Sequence, residues 1–112
     1  MYNEIMIKLL IFLLNLIGMQ GVYIYGLDIT ICDSPRLCAH EAGHRLDAKL
    51  GFPSQSLEFK EAVNDFPALV EMPNTCVIKS DYCFYSEAYA NLYGSMRGNI
   101  DMMQDTFQEF YQ

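Results

Sequence analysis

Both histidines of the chain stand four residues apart in His40-Glu41-Ala42-Gly43-His44. On a helix, residues at i and i+4 face the same way one turn apart, so the two imidazoles can hold one Zn²⁺ while Glu41 faces the water on that metal. This is the pattern of zinc-dependent hydrolysis. The metal lowers the pKa of a water and polarises a carbonyl, and Glu41 is the general base that takes the proton and passes it to the leaving amine. The alternative is a chance cluster on a solvated helix face.

A catalytic zinc takes three protein ligands and leaves its fourth position open. With no other histidine in the chain, the third ligand must be a carboxylate or a thiolate. Glu87 is the best candidate. It lies in a helical segment, Tyr82 to Tyr93, where Phe84, Ala88, Leu92 and Met96 recur every four residues as a stripe to bury, and Glu87 and Asn91 share a different face. Asn91, one turn after Glu87, suits a hydrogen bond to a ligating histidine. Glu71, Asp65 and Asp81 are lesser candidates for the ligand.

These groups need elements to carry them. Ser34 is an N-cap and Pro35 fits the first helical position of a helix from Pro35 to Leu50, which Gly51 and Pro53 end. A helical wheel places His44 and Asp47 beside His40, with Ala39, Ala42, Leu46 and Leu50 on a distant sector for the core. Gly43 between the histidines is either a tolerated cost or room for a close neighbour. Val22 to Ile31, rich in β-branched and aromatic residues, reads as a strand running into this helix. Ser54 or Ser56 caps a helix from about Leu57 to Phe66, Pro67 to Thr75 reads as loop, and Asn99 caps a last helix, Ile100 to Tyr111, with Met103, Phe107 and Phe110 inward.

Taken together, HEAGHRLDAKLG, then SLEFKEAV, then SEAYANLYG resemble the catalytic core of the anthrax lethal factor type of zinc metallopeptidases, which includes the secreted Pro-Pro endopeptidases. These are gluzincins, with a glutamate on a later helix as third ligand. The matching features are Asp47 three residues after His44, and Glu87, Tyr89, Ala90 and Tyr93 in an E-x-aromatic-A-x-x-aromatic segment. The long interval from His44 to Glu87 fits this family better than a thermolysin-like spacing. The resemblance spans about Ile24 to the C-terminus and implies His40, His44 and Glu87 as ligands, Glu41 as base, and a peptide or protein as substrate. It also implies that the strand before the helix borders the cleft, where an extended substrate can pair with its edge.

Two departures stand out. The family carries an oxyanion-stabilising tyrosine seven residues before the glutamate ligand, where this chain has Ser80; Tyr82 or Tyr85 is the nearest substitute. The family also has several strands and a helix ahead of the histidine helix, for which this chain has little room. The fold expected is α+β and mostly α: a minimal zincin-like core with one or few strands before the HExxH helix and a later helix bearing Glu87.

At 112 residues the chain is one domain, divided into an apolar N-terminal segment, 1–21, and a metallopeptidase-like domain, 22–112. No charge appears from Leu9 to Leu27, and the segment reads first as a signal peptide, then as a membrane anchor, then as a buried core helix. In so small a domain a bound zinc also contributes to folding. Cys32, Cys38, Cys76 and Cys83 form an even set without a CxxC pair, which favours two disulfides in an exported protein with three pairings open. A secreted protein is therefore expected, a membrane-anchored one being the alternative. Net charge −7 argues against nucleic acid as a partner, since seven scattered Lys and Arg make no phosphate-binding patch. Two other readings compete with the peptidase: a catalytically inactive, zinc-stabilised, secreted binding or toxin-like module, and a small membrane protein whose histidines are incidental.

Overall fold

The computed structural model describes residues 4–6, 8–9, 21–70, 76 and 80–112. Most of the apolar N-terminal segment and Glu71 lie outside the described residues, as does most of the interval between Val70 and Ser80. The fold is α+β and mostly helical. Among the described residues no helix is long and apolar enough to cross a membrane.

The expected single strand is a hairpin instead. Strand β1, Gly21–Ile24, pairs antiparallel with β2, Ile29–Cys32, with Tyr23 opposite Thr30 and Ile24 opposite Ile29. The β-branched run is interrupted by Gly26 and Asp28, and Asp28 adopts φ 50°, a left-handed conformation that short polar side chains tolerate in turns. Asp28 also ties the turn down. It accepts from the Tyr23 hydroxyl at 3.0 Å and from the Arg45 guanidinium at 3.0 and 3.3 Å.

Helix α1, Pro35–Lys49, begins as its sequence indicates: Ser34 Oγ accepts from the Leu37 N–H and Pro35 occupies the first turn. It stops at a left-handed pair, Gly51 (φ 79°) and Phe52 (φ 64°), whose Phe52 N–H returns to the Asp47 carbonyl at 2.7 Å. Helix α2, Leu57–Asp65, is capped by Ser56, whose Oγ accepts from the Phe59 N–H at 3.1 Å. Helix α3, Asp81–Ser95, is capped by Ser80, whose Oγ accepts from the Cys83 N–H at 3.2 Å. Ser80, the position where the resembling family has a tyrosine, is therefore a helix cap in this chain.

Disulfides join Cys32 to Cys38 and Cys76 to Cys83. Each spans the entry to a helix, the first locking β2 to the opening turn of α1 and the second locking the approach to the opening turn of α3. Two disulfides fit an oxidising compartment.

The core lies between α2, α3 and the C-terminal segment. Phe59, Val63, Ala88, Tyr89, Leu92, Met103, Phe107 and Tyr111 are buried together, and burial of each large side chain contributes about 1.5–3 kcal/mol. Two hydroxyls are satisfied within it. Tyr89 donates to the Phe110 carbonyl at 2.6 Å, and Tyr111, stacked on Tyr89 at 4.1 Å between ring centroids, donates to the Tyr89 carbonyl at 2.9 Å. Burial pushes both phenols well above their ordinary pKa.

The C-terminal segment is not the single helix expected from Ile100 to Tyr111. It comprises a 3₁₀ turn, Ile100–Met102, an extended step at Met103 and Gln104, a short helix α4, Asp105–Gln108, and a second 3₁₀ turn, Glu109–Tyr111. Asn99 makes no capping hydrogen bond. Met103, Phe107 and Tyr111 enter one core, whereas Phe110, expected inward, packs against its margin.

Helix α1 also packs differently from its wheel. Leu50 is 39% exposed and Leu46 only partly buried, while the buried residues are Gly43 and Asp47 on one side and Glu41 roughly opposite them. The reason is α3, which crosses α1 on the face that carries the histidines and Gly43.

Candidate metal centre

Helices α1 and α3 approach through glycine on both sides. A β-carbon on Gly43 would stand 2.8 Å from Ala90 Cα and 3.0 Å from Tyr93 Cβ, and one on Gly94 would stand 3.1 Å from His40 Cα and N. Gly43, left open between two explanations by the sequence, is thus the room for a close neighbour. The crossing sets the histidines of α1 against Glu87 of α3.

Glu87 straddles the pair. Its Oε2 is 3.0 Å from His40 Nε2 and its Oε1 is 3.2 Å from His44 Nε2. The two rings meet edge to face, 4.9 Å between centroids. Ligand atoms from all three residues lie within 4.8 Å of one another, and among the described residues this is the one such group able to hold a metal ion. Asp65 and Asp81, the lesser candidates, end α2 and begin α3 respectively and do not join it.

Electrostatics reflect the convergence. Burial raises the Glu87 pKa, but hydrogen bonds from His40 and His44 and their charge outweigh it and bring the carboxyl down to about 2. Burial likewise opposes protonation of His40, yet the Glu87 hydrogen bond and the Glu87 and Glu41 charges raise its pKa above the ordinary value. Glu41 is 6% exposed, with Oε1 3.8 Å from His40 Nε2. Its pKa is raised by burial, against the pull of the histidines and of a hydrogen bond from the Tyr23 main chain.

The supporting residues divide. Asn91 hydrogen-bonds the His40 ring, as its place one turn after Glu87 indicates. Asp47 instead receives the Ser54 N–H at 3.0 Å and the Ser54 hydroxyl at 2.6 Å, so it organises the turn after α1 and reaches His44 only through its charge. Ser86 was not legible in advance: its Oγ lies 3.3 Å from His44 Nδ1. No periodicity along α3 announces such a contact, because the partner is on another helix.

Neither candidate tyrosine joins the centre. The Tyr85 hydroxyl donates to Asn64 at 3.2 Å and its ring lies under Lys60 Nζ, while Tyr82 is 57% exposed and gives its carbonyl to Gln55. At about 100° per residue, positions two and five before Glu87 point to roughly the opposite side of α3. Both expectations are corrected on that ground.

Comparison with protein-family models, with curated proteins and with solved structures finds no match to this chain.

Proposed function

We propose that the protein is a zinc metallopeptidase of the gluzincin type, similar to the anthrax lethal factor group, acting on a peptide or protein substrate outside the cell. The observation that carries this reading is the approach of Glu87 to both histidine Nε2 atoms, with Glu41 beside them. The donor set fits the ion. Two imidazole nitrogens and a carboxylate oxygen are ligands that zinc accepts, and one such atom from each of His40, His44 and Glu87 lies within 4.8 Å of the others. His40, His44 and Glu87 would hold it, leaving a fourth position open.

Zinc, when bound, supplies the Lewis acidity that activates a water and polarises a carbonyl. Glu41 does the proton work: its carboxylate is buried, inclined toward accepting a proton, and held by the Tyr23 main chain, so it can take a proton from water and return it to the departing amine. Asn91 holds the His40 ring. The two disulfides support secretion.

The test is Glu41→Gln. The variant is expected to keep stoichiometric zinc and to lose cleavage of a peptide library by at least a hundredfold; undiminished cleavage defeats the assignment. A second reading, a zinc-stabilised binding module without activity, is favoured by one observation, the turning of Tyr82 and Tyr85 away from the centre. Zinc binding by the wild type with no cleavage of the library supports that reading instead.

A further inference from the structure

The sequence around Glu87 does more than offer a ligand. Residue 86 precedes Glu87 on α3, and its hydroxyl is 3.3 Å from His44 Nδ1. The other ring nitrogen, Nε2, is the one turned to Glu87 Oε1 at 3.2 Å. A ring so placed has one nitrogen for the metal and one for an outer partner, and the outer partner decides which nitrogen carries the proton. His40 likewise turns Nε2 toward Glu87 Oε2 at 3.0 Å, and Asn91 hydrogen-bonds its ring.

We infer that Ser86 is a positioning residue of the metal centre: its Oγ accepts the Nδ1 proton of His44, which fixes the ring orientation and presents Nε2 to the ion. The inference rests on the metal-site reading above and adds to it a residue that the histidine motif does not contain. One helix then supplies three components from one short segment, a ligand at Glu87 and an outer partner for each histidine at Ser86 and Asn91. The hydroxyl suits the role because it is carried by a helix anchored by the fully buried Ala88, Tyr89 and Ala90, which keeps the Ser86 backbone in place beside His44. Alanine at 86 keeps the helix, since alanine is the better helix former, and removes only the acceptor.

The experiment compares wild type, Ser86→Ala and Ser86→Thr by zinc titration against a competing chelator, with cobalt(II) absorption reporting ligand geometry and thermal melting of the metal-free proteins reporting the fold. Expected results are a ten- to hundredfold weaker zinc affinity and an altered cobalt spectrum in Ser86→Ala, near-wild-type values in Ser86→Thr, and unchanged metal-free melting in Ser86→Ala. Wild-type affinity in Ser86→Ala, or equal weakening in the threonine variant, overturns the role of Ser86. A wild type that takes up neither ion overturns the metal-site reading itself, so the two failures are distinct. Long-range ¹H–¹⁵N correlation on zinc-loaded wild type gives an independent check: His44 is expected protonated at Nδ1 and metallated at Nε2, and the opposite assignment overturns the inference without any variant.

Discussion

The backbone of Gly43 lies so close to that of Ala90 that a β-carbon on the glycine would stand 2.8 Å from Ala90 Cα. This contact brings the histidine helix onto the glutamate helix, and the distance from Glu87 to both rings depends on it. In an isolated helix, glycine to alanine would stabilise by about 1 kcal/mol. Here the obstructing atoms are main chain, which cannot swing aside, and overpacking of this kind costs about 1–3 kcal/mol.

Gly43→Ala is therefore expected to lower the melting temperature despite its better helix propensity, and to weaken zinc binding at least tenfold by separating α1 from α3. Gly94→Ala, facing His40 N and Cα at 3.1 Å, acts in the same direction. Thermal denaturation and zinc titration check both, and a stabilised Gly43→Ala with full affinity would contradict the crossing.

Acidity sets the benefit of metal. Glu87, lowered to about 2, contributes stability that is present above its usual pKa of 4.5 and lost as the pH falls through about 2. His40, raised above 6.5, contributes stability that is fully present below 6.5 and lost as the pH rises through its folded value. The metal-free centre is thus best paired between about pH 4.5 and 6.5. Zinc requires neutral imidazoles. The rise in melting temperature on adding zinc is expected to be small at pH 5 and large at pH 8, and melts at the two values with and without zinc measure it.

Glu41 follows the opposite rule, being a carboxyl whose folded pKa is raised by burial. Such a group lowers stability as the pH rises past its unfolded value of 4.5, and the cost is absent below that value. Glu41→Gln, which keeps an acceptor for the Tyr23 N–H and removes the buried charge, should melt higher than wild type at pH 7 in the metal-free state, with the gain gone at pH 3.5. Differential calorimetry across this range would expose a wrong sign.

The disulfides enclose short loops, with separations of 6 and 7 residues. Chain entropy assigns about 2 kcal/mol to loops of this length. Replacing the Cys76 and Cys83 pair by serine is expected to lower unfolding free energy by about that amount in denaturant titration, with a parallel loss for Cys32 and Cys38. Saturating zinc stabilises wild type and variants alike by binding the folded state, so both losses should persist in its presence.

Tyr111 is 1% exposed, stacked on Tyr89 and bonded to its carbonyl. Tyr111→Ala is expected to cost about 3–5 kcal/mol through the cavity it leaves, and Tyr111→Phe about 1 kcal/mol through the lost hydrogen bond. Because α3 carries both Tyr89 and Glu87, the alanine variant should also bind zinc less tightly, which a chelator competition would reveal.

The residue order alone already contained the helix start at Ser34, a serine cap at 54 or 56 for the next helix, the shared side of His40 and His44, and the common face of Glu87 and Asn91, because caps and i,i+4 spacings are local properties of the backbone; the cap at Ser80 emerged only with the structure. Local signals also separated the mostly α character from the strand region. They failed where a segment must serve a distant partner: the hairpin at Gly26–Asp28, the broken C-terminal helix, and the outward turn of Leu50. Tertiary structure alone decided that Gly43 makes room for α3, that Ser86 meets His44, that Tyr82 and Tyr85 face away, and which cysteines pair. The reason is physical: a helix wheel states which residues share a side, but which side is buried depends on the closest approach of a second helix, and that approach is set by atoms far apart in the chain.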